Sequence, residues 1–212
     1  MTIIRSLGRT VGVAVFTIVE TLTLGIWLAL VRDAPTLSRL ALVGAGILLA
    51  GLVLEALINT VVVNGFSFRL GAIATFSLSE ALIWILWLGV AERLGGLTGV
   101  GIAGVVLFVL MLPQHSIEDN VLRGRGLFSS LVTPGTALFT FVEALGGTVW
   151  LALVFRPDLL AAAGVDSVPF AAPMVGDLGA SVGLLLLALA LFVEHEMGLQ
   201  FALRTGEPGP GV

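Results

Sequence analysis

The chain has 212 residues, of which 58% are hydrophobic and only 11% charged, with a net charge of −4. A mean hydropathy of +1.11 excludes a water-soluble domain of this length, which has no interior large enough for so much apolar surface, and points to a multi-pass membrane protein. Cysteine is absent, which excludes disulfides, thiolate catalysis and Cys-bound metals, and no basic cluster exceeds Arg123 and Arg125 with their neighbours, so nucleic acid is not an expected partner.

The first apolar run, residues 11–31, follows Arg5 and Arg9. It is too long for a signal peptide, carries Glu20 and is followed by no small-residue cleavage site, so it predicts a first transmembrane helix. Further runs at 40–63, 71–91, 100–122, 136–155 and 181–203 complete six spans, each near the length of about 20 residues that crosses the hydrocarbon. Connections are short except for 156–180, where Pro157, Pro169 and Pro173 predict an exposed loop with a short interfacial turn at 159–163. The tail, 204–212, contains Pro208 and Pro210 and is expected to be disordered. Arg5, Arg9, Arg69, Arg123, Arg125 and Arg204 fall on one side of these spans, and Arg32, Arg39, Arg93 and Arg156 on the other. The positive-inside rule then puts both termini in the cytoplasm and the chain in the cell membrane.

Three stretches share one pattern, F-[ST]-x-x-E-[TA]-L-x-x-x-x-W-L, at 16–28, 76–88 and 139–151. It places Glu20, Glu80 and Glu143 at one repeat position and Trp27, Trp87 and Trp150 at another. The tryptophans are read as interfacial anchors or packing residues. The even-numbered spans align more loosely: Asn59, Asn120 and Gln200 fall in register, with Glu55, Ser116 and Glu196 one turn earlier and Leu54, His115 and His195 immediately before those. The expected fold is therefore all-α, one membrane domain of three tandem helical hairpins (11–63, 71–122 and 136–203) around a pseudo-threefold axis.

A rise of 1.5 Å per residue sets Glu20 about 16 Å, Glu55 about 15 Å, and His115 and Glu196 about 12 Å inside the cytoplasmic edge. These groups form a layer near the middle of a core about 30 Å thick. The acids within the spans are Glu20, Glu55, Glu80, Glu118, Asp119, Glu143, Glu194 and Glu196, and only His115 and His195 face them as bases. Asp119 and Glu118 lie close enough to Arg123 to approach the headgroups, and Glu194 projects roughly opposite to Glu196. An unpaired charge at the bilayer centre costs about 3 kcal/mol or more, and crowded carboxylates repel. Either most of these acids are protonated and hydrogen-bonded, or they line water and hold cations. Thr17, Ser77 and Thr140 stand three positions before the odd-span Glu on the same face. There they can bond a carboxyl, join a hydration shell or bond their own helix backbone. Pro113 is expected to kink the fourth span just before His115.

Three functions fit. The first is a transporter or channel moving protons or a cation, with Glu20, Glu80, Glu143, Glu55, Glu196, His115 and His195 along the path and Asn59, Asn120 and Gln200 at its cytoplasmic mouth. The second is a structural or accessory subunit whose protonated Glu side chains bond between helices. The third is a metal- or haem-dependent enzyme or electron carrier using His115, His195 and Glu196 as ligands; the pair His195–Glu196 does not extend to H-E-x-x-H, because Leu199 occupies the last position. A chain without any cofactor is equally compatible with the composition. Besides lipid, a homo-oligomer or a larger membrane complex are the partners left open.

Overall fold

A computed structural model describes residues 2–64, 69–122, 126, 128–129, 132–162 and 175–205. The described residues are all-helical: α1 (Thr2–Val31), α2 (Arg39–Asn64), α3 (Leu70–Leu94), α4 (Gly96–Leu122), α5 (Pro134–Phe155), α6 (Asp158–Ala162) and α7 (Val175–Thr205). Six of these, all but α6, contain apolar stretches of 22 to 26 residues, long enough to cross a membrane. Every span predicted from the sequence is a helix, and each helix runs past its apolar run at one end or both. The short turn expected at 159–163 is the single-turn α6; the last part of the expected loop is instead helical, because α7 begins at Val175, and residues 163–174 and the tail beyond Thr205 lie outside the described residues.

Local chemistry sets the helix ends. Ser38 accepts a hydrogen bond from the Ala41 N–H and caps α2. Thr133 and Thr136 cap α5 reciprocally, with Pro134 in its first turn where no N–H is needed. Between α3 and α4 the chain reverses at Gly95 and Gly96, with φ of 70° and 59°, a region in which a Cβ would clash with the backbone. Beyond the end of α5, Arg156 donates to Asp158 at 2.7 Å and holds that carboxyl below the usual carboxylate range. In α4 the helix continues through Pro113 without a break.

Consecutive long helices pack against each other from α1 to α5, α5 packs on α7, and α7 returns to α1, so the six long helices close into a ring. The inner face of α1 reads Val13, Phe16, Thr17, Glu20, Leu24, Trp27 and Leu28, all buried, while Val11, Val15, Ile18, Leu22 and Ile26 are exposed. The outside is thus more uniformly apolar than the inside. A surface of this kind fits a multi-pass membrane location, since water tolerates no such continuous belt.

The core lies towards the end of the ring at which α1 meets α2. Trp27, Trp84, Trp87 and Trp150 are all buried there with Leu24, Leu48, Leu52, Leu107, Leu151 and Leu187. Trp84 meets Trp87 edge-on at 5.1 Å, and Trp87 stacks on Trp150 at 6.2 Å. The repeated tryptophans are therefore packing residues, and the interfacial half of their expected role does not hold. Each sits seven residues beyond a repeated Glu, nearly two turns along the same face, which carries the ring into the bundle axis. Glycines allow this closeness: a Cβ on Gly146 would strike Ala190 of α7, and one on Gly183 would strike Trp150, whereas Gly46 has open space around it. Gly146→Leu should therefore lower thermal stability in detergent by about 1–3 kcal/mol, and Gly46→Leu should leave it unchanged; equal melting of the two variants would contradict this packing.

Candidate functional site

About two turns before each repeated tryptophan, the odd helices turn a carboxyl inward. Glu20 of α1, Glu80 of α3 and Glu143 of α5 bring carboxylate oxygens within 4.8 Å of one another. Glu20 and Glu143 are buried, at 3% and 2% exposure, and Glu80 is half-buried. The three helices meet here because each contributes its Glu at the same distance before its Trp.

Two of these carboxyls sit in matching cradles. On α1, Phe16 packs edge-on against the His195 ring at 4.5 Å, Thr17 Oγ1 lies 2.8 Å from His195 Nδ1, and Glu20 Oε2 lies 3.2 Å from its Nε2. On α5, Phe139 packs against His115 at 5.5 Å, Thr140 Oγ1 lies 2.9 Å from His115 Nδ1, and Glu143 Oε2 lies 3.5 Å from its Nε2. The first half of the repeated pattern, F-[ST]-x-x-E, is thus a histidine cradle. Phe supplies a wall, the hydroxyl holds one ring nitrogen, and the carboxyl faces the other. The threonines were expected to serve their own Glu or their own backbone; their partner is instead a histidine from another helix.

The third cradle differs. Phe76, Ser77 and Glu80 stand on α3, but Leu54 occupies the position equivalent to the histidines and is exposed. The Ser77 hydroxyl is left buried without a hydrogen-bond partner. Glu80 is consequently the member of the triad with no imidazole beside it.

Around this centre the other sequence candidates fall at different depths. Glu55 is buried and Glu196 half-buried, with the Glu196 Oε1 atom enclosed and unpaired. Ser116 spends its hydroxyl on the Leu112 carbonyl of its own helix. Asn120 is buried, Asn59 half-buried and Gln200 exposed. Glu194, expected to project away from Glu196, is buried with Oε2 3.1 Å from His195 Nε2, so His195 lies between two carboxyls. A wide rotation separates neighbouring helix positions, but the long Glu side chain reaches back across it. Gln114 was missed: it is buried, and Ser79 donates to its Oε1 at 2.9 Å, joining α3 to α4. The i−1 position of Gln114 to His115 was the available signal.

The arrangement has a definite proton chemistry. When the Thr17 hydroxyl donates to Nδ1, Nε2 of His195 carries the hydrogen and faces an ionised Glu20. When Nδ1–H donates to Thr17, Nε2 is free to take a proton from a neutral Glu20. A proton can therefore pass between carboxyl and imidazole with no ring rotation, and the same holds for Thr140, His115 and Glu143. Nδ1 of each histidine meets a threonine hydroxyl, and Nε2 lies within ion-pair distance of a carboxyl. Among the described residues, the ligand atoms that cluster are those of the three Glu.

Comparison of the chain with protein-family models, curated proteins and solved structures finds no match. A double-mutant cycle tests the cradle: Thr17→Val and His195→Leu should each destabilise the protein, with a coupling energy of about 1 kcal/mol between them in detergent unfolding. Simple additivity would mean that the 2.8 Å contact contributes nothing.

Proposed function

We propose that the chain is an integral membrane protein that moves protons or a cation across the cell membrane, with Glu20, Glu80 and Glu143 as the central station. The observation that carries this reading is the meeting of three carboxyls from three separate helices within 4.8 Å. Ionisable groups at membrane depth are costly, and nothing in the packing of a scaffold requires three of them at one point. On this reading the protein is three helical hairpins, α1–α2, α3–α4 and α5–α7, around a pseudo-threefold axis, with both termini cytoplasmic. The like cradles of His195 and His115 support the repeat, as does the closure of the ring through α7 and α1.

The path has a direction. The N-terminal ends of the odd helices hold the polar side, with Glu196 and Asn59 half-buried, Gln200 exposed and Glu55 buried. The other side is closed by the tryptophans. The protein is therefore read as a gated carrier or channel with the tryptophan layer as its barrier, and His115 and His195 as relays that load or unload two of the three carboxyls.

The same tryptophan seal favours a second reading, a structural subunit whose neutral carboxyls bond between helices. Flux in proteoliposomes separates the two. The reconstituted chain should carry a proton or cation current, and Glu20→Gln, Glu80→Gln and Glu143→Gln should each reduce it at least about tenfold, the effect of losing about 1.4 kcal/mol of ion binding. Glu92→Gln, at an exposed position on α3, should not. Flux indifferent to all three triad substitutions would remove these carboxyls from the mechanism, and no flux at all would favour the scaffold.

A further inference from the structure

We propose that Glu20, Glu80 and Glu143 form a binding site for one hard divalent cation of about the size of calcium. This rests on the reading of the triad as an ion station and names the class of ion. Three oxygens no more than 4.8 Å apart share a central point within about 2.8 Å of each, close to the 2.3–2.6 Å of calcium–oxygen bonds after a small inward closure. Magnesium would need the oxygens drawn in to about 2.1 Å in near-ideal octahedral geometry. The clustered donors are carboxylates, with no thiolate in the chain, a donor set that suits a hard cation better than a soft metal.

Independent observations also point to a ligand. Oε2 of Glu20 and Oε2 of Glu143 are buried and accept no hydrogen bond, although a histidine Nε2 lies within ion-pair distance of each. The Ser77 hydroxyl, one turn before Glu80 on the same face, is 1% exposed and has no partner. Buried oxygens left in this state are destabilising, the more so when charged, which a bound cation relieves. The vacancy at Leu54 determines where the ion leans. Glu20 and Glu143 each share their charge with a histidine, so Glu80 presents the uncompensated carboxylate, and Ser77 offers the nearest additional oxygen on that helix. Glu80 is also the most accessible of the three, so the ion is expected to enter on its side.

The test is equilibrium binding of radioactive calcium to the purified full chain in nanodiscs, with manganese binding followed by electron paramagnetic resonance. One ion per chain should bind at or below about 1 mM. Glu20→Gln, Glu80→Gln and Glu143→Gln should each weaken it at least about tenfold, because affinity follows ligand charge, and Ser77→Ala should weaken it less. Leu54→His, which supplies the missing imidazole, should also weaken binding by engaging Glu80. For any variant that fails to fold, the calcium-dependent rise in melting temperature of the unaltered protein, lost with Ser77→Ala and Glu80→Asp together, replaces it. No binding at 1 mM, or binding that ignores all three carboxyls, overturns the proposal. A proton current without calcium binding would overturn it while leaving the transport reading intact, and calcium binding without any flux would do the reverse.

Discussion

The structure depends on one constraint: carboxyls gathered where there is too little positive charge to match them. Glu20, Glu80 and Glu143 converge within 4.8 Å, and the two histidines of the chain are both spent beside them. In a low-dielectric interior such a group is stable only if protons, cations or hydrogen-bond donors neutralise it. The cradle of Phe, Thr and Glu around each imidazole is a local solution. It fixes the ring by a hydroxyl on one nitrogen and sets the carboxyl at the other, so that charge can be redistributed by moving a proton a short distance.

The apolar remainder of the bundle follows from that centre. Between helices surrounded by hydrocarbon, close packing rather than water exclusion supplies the attraction. The tryptophans two turns from each Glu fill the axis, and small residues such as Gly146 and Gly183 admit the facing helix. The polar centre is thereby held at a fixed distance from a dense aromatic layer. That arrangement gives the molecule two unlike ends, one with acids and amides at its margin and one closed by rings.

The departure from threefold likeness is as informative as the likeness. Had the position of Leu54 been histidine, all three carboxyls would have had an imidazole, and the triad would have been internally compensated. Leucine there leaves Glu80 without an imidazole, and the Ser77 hydroxyl is buried without a partner. The missing histidine therefore distinguishes the Glu80 side of the centre from the other two.

The amino-acid sequence by itself determined the six long helices, the recurrence of Glu and Trp on one face, and the surplus of buried acid, because hydropathy and helical period are properties of neighbouring residues. It also showed that Thr17, Ser77 and Thr140 share a face with the carboxyls, without identifying what they bond. That partner was decided by tertiary structure: Thr17 meets a histidine 178 positions away and Thr140 one 25 positions away. No local rule connects such residues, since the pairing arises from which helices become neighbours when the ring closes. The inward turn of the tryptophans and the approach of Glu194 to His195 have the same origin. Side chains of these lengths can face lipid, headgroup or axis with little change in local energy, and only the packed neighbours choose among them.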